Sequence, residues 1–226
     1  GIGNKKIYEK RYVELNPLQK KIYKEIEKTF EYEDKDGNYI MTKFVPVKLG
    51  WMQRVCGGFS PKEEHLSDAK IIEINNLLKS ELKNQSIVIW FKHTLEMESA
   101  LLYLENRKYK CAFYNANKKE GEKDFKDGKK QIMLAQPMCG KYGLDWSVAS
   151  TAIYYSNWWS TEVRAQTEKR IEHPKKKQPL LYIDLLCRKT IDVDVLSAVR
   201  SKHKTSKNFL ESVLKSWRKR NDIRTR

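Results

Sequence analysis

The chain has 226 residues, 40% hydrophobic and 11% aromatic, enough for one sizeable domain with a real core and too apolar for wholesale disorder. Its 45 Lys and Arg against 29 Asp and Glu give a formal charge of +16, which suggests a polyanionic partner, nucleic acid ahead of acidic membrane. No apolar run approaches the ~18 residues of a spanning helix, and neither a signal-peptide pattern nor a C-x-x-C pair occurs, which argues against a membrane protein and a zinc ribbon.

Pro17 suits the first turn of a helix, and Leu18, Ile22, Ile26 and Phe30 follow at helical spacing. Asp36-Gly37 is a hairpin signal. "VKLGWMQRVCGGFS" reads as a short helix ended by Gly57-Gly58. Residues 67–83 are amphipathic, with Ser67 as N-cap and Ile71, Ile74, Leu77, Leu78 and Leu82 inward. The pattern then changes. "SIVIWF" is a continuous apolar run, as in a strand buried on both faces. A helix follows ("TLEMESALLYLENR"), then a strand ("KCAFYN"), a short polar helix ("KKEGEKDFKDG"), a strand ("QIMLAQP") and a glycine-containing loop ("CGKYGLDWS"). Next come a strand ("STAIYYS"), a helix through "RAQTEKRIEHPKKK", a strand ("PLLYIDLL") and basic helices to the end.

Five strands alternating with helices predict an α/β fold, a parallel sheet flanked by helices, whose functional loops lie beyond the carboxyl ends of the strands. A mostly helical extension precedes it and a helical C-terminus follows. The boundaries fall at 1–66 for the lead-in packed on the lobe, 67–204 for the sheet-bearing lobe, and 205–226 for a basic terminal helix or brace. Cys111 and Cys187 sit in strand-like runs and read as buried thiols of a reducing compartment; His65, His93, His173 and His203 are scattered, and no metal site is expected.

If residues 164–177 continue as a helix, Gln166, Arg170 and His173 stand at i, i+4 and i+7 and share one face. An amide, a guanidinium fork and an imidazole suit phosphate oxygens, while a plain surface helix is the alternative.

The order of elements carries more than any one of them. "RYVELNPLQKKIY", "SDAKIIEINNLL", "IVIWFKHT", "LAQPMCGKYGLDWSVAS", "NWWSTEVRAQTEKR" and "LLYIDLLCRKTIDVDVL" follow in sequence over nearly the whole chain. This series resembles the second RecA-like lobe of superfamily 2 helicase-like ATPases of the Swi/Snf group, which translocate on double-stranded DNA, and is most similar to compact phage and bacterial members. "IVIWFKHT" looks like motif IV, and Gly140, Gly143, Leu144 and Asp145 stand at motif V positions. Trp159 precedes Gln166 as in the approach to motif VI.

The resemblance implies a RecA-like fold. It implies that Gln166, Arg170, Gly143 and Asp145 face ATP and that Arg170 is an arginine finger; such fingers contribute ~10³–10⁵ in rate in related enzymes. The family's second Arg is replaced by His173, whose imidazole cannot form the same fork as a guanidinium. Arg170 alone, or a Lys from 175–177, would then have to suffice, or turnover is slow or lost. ATP and Mg²⁺ would be held mainly by Walker A and B residues of a first lobe, which this sequence does not contain. The expectation is therefore a fragment of a longer enzyme, inactive alone, whose partners are double-stranded DNA and that first lobe.

The resemblance further places Lys92, His93, Thr94, Lys141 and Tyr142 toward the DNA backbone and Trp159 toward the groove, with a core-packing indole as the alternative for Trp159. Lys118 and Lys119 are read as the start of a helix able to hold phosphate. The cytoplasm is the expected compartment, or the nucleus if the source is eukaryotic. The rival function is a degenerate, ATPase-inactive lobe that only binds nucleic acid or a partner.

Overall fold

The computed structural model describes residues 4–29, 31–137, 143–201 and 206–224. In chain order the elements are β1 (Lys6–Val13), α1 (Pro17–Thr29), β2 (Glu31–Glu33), β3 (Tyr39–Met41), α2 (Val45–Cys56), α3 (Ala69–Lys79), β4 (Ile87–Trp90), α4 (Thr94–Glu105), β5 (Cys111–Tyr114), β6 (Lys119–Glu120), α5 (Glu122–Lys126), β7 (Ile132–Ala135), β8 (Thr151–Tyr154), α6 (Thr161–Glu168), a 3-10 turn (Lys169–Ile171), β9 (Leu180–Cys187), α7 (Ile191–Arg200) and α8 (Ser206–Arg224).

Seven strands form one sheet in the order β1-β9-β8-β4-β7-β5-β6, parallel except for β6, which runs antiparallel to β5. All residues of β4, β5, β7 and β8 are buried, which is why each reads as an apolar run rather than an alternation. One face of the sheet packs on α3 and α4 through Ile74, Leu78, Met97 and Leu104. The other encloses Trp146, Phe125, Ile171 and Tyr182. A third apolar cluster joins α1 and α2 to α7 and α8 through Ile26, Leu49, Met52, Val195 and Val213.

The α/β expectation therefore holds, with additions. The lead-in contributes β1, which pairs along eight residues with β9 at the sheet edge. Edge position explains why its sequence, KIYEKRYV, carries no apolar run: one side lacks a neighbouring strand, and charged residues on an edge discourage further pairing. The hairpin signal at Asp36-Gly37 is met by β2 and β3, with Gly37 at φ +80. Ser67 is not the N-cap: α3 starts at Ala69 with Asp68 at the cap position and no side-chain cap bond, while Ser67 Oγ accepts from Ala69 N–H at 3.1 Å one residue earlier; the five apolar residues expected to face inward from 67–83 are all buried. Gly58 follows α2 at φ +97, where an added Cβ would stand 2.2 Å from the Ser67 carbonyl oxygen, so the turn requires glycine.

Cys56, Cys111 and Cys187 are free and buried. Cys56, Cys187 and Asp192 bring possible ligand atoms within 4.8 Å of one another. Asp192 already holds the buried Lys70 ammonium at 2.8 Å and the Cys187 N–H at 3.0 Å, so the cluster is an internal ion pair with two thiols beside it.

Candidate nucleotide and nucleic-acid interface

The loops that follow the parallel strands gather at one edge of the sheet. Two groups of expected residues lie there, around Arg170 and around Lys92.

Ser160 Oγ caps α6 by accepting from Val163 N–H at 3.2 Å. The helix ends at Glu168, tightens into the 3-10 turn and becomes extended at Glu172, with ψ 141. His173 therefore does not share a helical face with Gln166 and Arg170, contrary to the i, i+7 expectation. Pro174 disfavours helical backbone at His173 before it, and the chain leaves the helix one residue earlier still, at Glu172. His173 Nδ1 instead accepts from Lys175 N–H at 3.2 Å.

Gln166 and Arg170 do come together, lining one narrow cleft with Gln136, Leu144, Trp90 and Trp146. The motif V and motif VI segments are tied there twice: Trp146 N–H donates to Arg170 O at 2.7 Å, and Arg170 Nη1 donates to Leu144 O at 3.4 Å. Gly143 has φ +93 and is exposed. Asp145 is exposed, and hydrogen bonds from Ser147, with His173 nearby, hold its carboxyl below the usual carboxylate range. Lys176 is committed elsewhere. Its ammonium donates to Ser147 O at 2.7 Å, to Ala149 O, and to Ile171 O at 3.4 Å. Three carbonyls turn it into a clasp beneath the motif V segment rather than a spare finger.

In the second group, Lys92 N–H donates to Ser156 Oγ at 2.8 Å, and Gln136 ties the loop by donating to Lys92 O at 3.0 Å and accepting from Thr94 Oγ1 at 3.1 Å. Lys92, His93 and Thr94 line a recess of about 280 Å³ with Arg54, Phe59, Glu63 and Glu96. Burial pushes Lys92 down to about 8. Burial, then Lys92 and Arg54, push His93 down to about 3, so it is a neutral ring whose buried Nε2 has no protein partner. Glu96, 1% exposed, is pushed up to about 7 by burial while its Oε2 accepts from Ser156 Oγ at 2.6 Å.

Trp159 packs as the alternative reading of its indole expected. It is half-buried against the α1–α2–α7–α8 cluster, its Nε1 donates to Gln53 Oε1 at 2.8 Å, and Lys92 Nζ lies 4.3 Å from its ring centroid. Gln53 was not singled out by sequence. It stands in the middle of a helix outside every recognised motif, and no local signal marks it.

Lys118 and Lys119 do not start a helix. Lys118 lies in the turn between β5 and β6, paired with Glu120 at 2.9 Å; Lys119 lies in β6; α5 begins at Glu122. Asn115 Oδ1 accepts from the N–H groups of Asn117 and Lys118, an Asx-type turn that favours a hairpin over a helix start. Gly140, Lys141 and Tyr142 lie outside the described residues. The C-terminal helix α8 is docked on the lobe. Phe209 and Val213 are buried, Trp217 Nε1 donates to Glu27 at 3.2 Å, and Arg220 pairs with Asp194 at 2.7 Å.

No protein-family model matches the chain. A curated relative, an uncharacterized ATP-dependent helicase of Mycoplasma pneumoniae, is 25% identical over 216 residues, covering 89% of this chain and 20% of the relative. The chain thus spans about a fifth of that protein's length. Among solved structures it is similar to the C-terminal part of the Fun30 ATPase domain, with TM-score 0.71 and 14% identity over 96% of this chain and 99% of that one. It is also similar to the C-terminal domain of the Sulfolobus solfataricus SWI2/SNF2 ATPase, with TM-score 0.63 and 14% identity over 90% and 89% of the two chains. The ATPase core of the Sulfolobus protein in complex with double-stranded DNA matches at TM-score 0.60 and 13% identity, over 87% of this chain and 44% of that one. The chain has the fold of the C-terminal, RecA-like lobe of Swi/Snf-type helicase ATPases. No described helix is long and apolar enough to cross a membrane.

Proposed function

We propose that the chain is the second lobe of an ATP-dependent motor on double-stranded DNA. Arg170 reaches a nucleotide held mainly by a first lobe, and the Lys92 and Trp159 loops hold the duplex. The observation that carries this reading is the joining of Arg170, Gln166 and the motif V segment at the same sheet edge that presents Lys92 and Trp159.

A guanidinium and an amide beside an exposed edge suit phosphate oxygens approached from one side. ATP supplies the transferable phosphoryl group. The residues of this lobe orient and neutralise it: Arg170 by charge, Gln166 by hydrogen bonding, and Lys176 by fixing the segment on which Leu144 and Trp146 lie. Closure of the lobes on ATP, and their release after hydrolysis, would shift the DNA-facing loops along the duplex.

A second reading has its own support. His173 lies off the helix, and Lys176 is tied to three carbonyls, which supports a lobe without a second finger. An ATPase-inactive lobe that only binds nucleic acid would look the same.

Duplex binding by the chain across a salt series tests the DNA half of the proposal. Log K should fall linearly with log salt, by about 0.9 per neutralised phosphate, and should not depend on sequence. Absence of duplex binding at low salt would remove it.

A further inference from the structure

Gln53 lies on α2, in the lead-in segment, and is 1% exposed. Its side chain touches three groups from two loops. Oε1 accepts from Lys92 Nζ at 2.7 Å and from Trp159 Nε1 at 2.8 Å, and Nε2 donates to Asn157 O at 2.9 Å. The donors and acceptor leave no choice of amide orientation. An ammonium and an indole N–H can only donate, and a carbonyl can only accept. A flipped amide would set its NH₂ against both donors.

The residue type is fixed as well. Glutamate could accept from Lys92 and Trp159 but would turn a carboxylate oxygen toward the Asn157 carbonyl. Lysine or arginine would bring no acceptor. Methionine would fill the space and make none of these bonds.

We propose that Gln53 is a positioning residue for the nucleic-acid contacts: its one oxygen holds the ammonium of Lys92 over the face of Trp159, so that charge and indole meet the duplex as a unit. The inference rests on the DNA-binding reading above and names a part for the lead-in helix in it. Lys92 follows β4 and Trp159 follows β8, neighbouring strands whose loops share this oxygen as a common acceptor. With it in place, the cation–π distance of 4.3 Å is held before DNA arrives, and less side-chain freedom is lost on binding.

The test is a double-mutant cycle on duplex affinity with Gln53→Met, Trp159→Phe and Lys92→Met, each checked for folding by thermal melting. Gln53→Met should weaken duplex binding about threefold to tenfold, the range of one or two net hydrogen bonds. In the background carrying both Trp159→Phe and Lys92→Met the same change should have less than about a twofold effect, because nothing is left to position. Equal effects in the two backgrounds would overturn the inference even if Gln53→Met lowers the melting temperature.

A second readout does not depend on DNA. The indole N–H resonance of Trp159, assigned by its loss in Trp159→Phe, should exchange slowly with solvent in the unmodified chain and faster in Gln53→Met. Fast exchange in the unmodified chain would also overturn the inference. If the chain fails to bind duplex while this N–H stays protected, the DNA-binding reading fails and the local geometry stands.

Discussion

Arg164 holds Asp184 with both arms of its guanidinium, Nη1 to Oδ1 at 2.6 Å and Nη2 to Oδ2 at 3.1 Å, and Asp184 is fully buried. The pair ties α6, the helix that carries Gln166, to the middle of β9. Asn157 Nδ2 at 3.0 Å and Arg200 Nη2 at 3.1 Å also donate to Asp184, and Arg164 Nε donates to Glu168 at 2.8 Å. The charges are thus paired and hydrogen-bonded, the condition under which burial is tolerated. Arg164→Ala leaves the Asp184 carboxylate with the Asn157 amide and one half-exposed cation, Arg200, and should cost about 3–5 kcal/mol in urea unfolding. A loss near zero would show that the network is not what anchors α6.

Gly57 and Gly50 make a matched pair on and just after α2. A Cβ at Gly57 would lie 1.8 Å from Glu96 Oε1, a side chain held by Ser156 and 1% exposed. Gly57→Ala should destabilise by about 1–3 kcal/mol, as overpacking does. A Cβ at Gly50 meets nothing within 4 Å and lies inside a helix, so Gly50→Ala should stabilise by about 0.5–1 kcal/mol. Thermal melts of both variants check the contrast in sign.

Glu96 gives the fold a pH dependence. Burial raises its carboxyl from the ordinary 4.5 to about 7, so between these values the folded chain binds more protons than the unfolded one. The contribution from this group is fully present below 4.5 and is lost as pH rises through about 7. Glu96→Gln should remove that part of the slope, which denaturant midpoints measured from pH 5 to pH 8 would show.

Lys92 gives the interface a different one. Burial lowers its ammonium to about 8, so its charge disappears at a pH where exposed lysines keep theirs. The magnitude of the salt slope for duplex binding should fall by about 0.9 between pH 7 and pH 9. In Lys92→Met the slope should be the same at both values. Stability follows the opposite trend for this group: the unfolded chain binds the extra proton between about 8 and 10.5, so folding is favoured as pH rises through that window.

What the sequence revealed, and what it hid, divides along physical lines. The apolar runs of β4, β5, β7 and β8 announce themselves because both faces are covered, and Gln166 and Arg170, one helical turn apart in sequence, line one cleft with Leu144 and Trp146. β1 went unread because an edge strand needs charge where a central one needs apolar residues. His173 was misplaced because a helical wheel was extended through residues that the chain winds as a 3-10 turn before leaving the helix at Glu172. Lys118 and Lys119 were misplaced because the Asx-type bonds of Asn115 outweigh the charge pattern that suggested a helix start. Gln53 and Lys176 act through bonds to partners far along the chain, Lys92 and Trp159 for one and Ser147 and Ala149 for the other, and no local pattern marks such residues.

The most direct measurement is ATP turnover by the protein that carries both lobes, with and without duplex DNA, beside its Arg170→Ala variant. The account predicts turnover that duplex DNA stimulates and that Arg170→Ala reduces by about 10³-fold or more, the lower end of what a finger contributes. Turnover that ignores duplex DNA, or that survives Arg170→Ala unchanged, would contradict it.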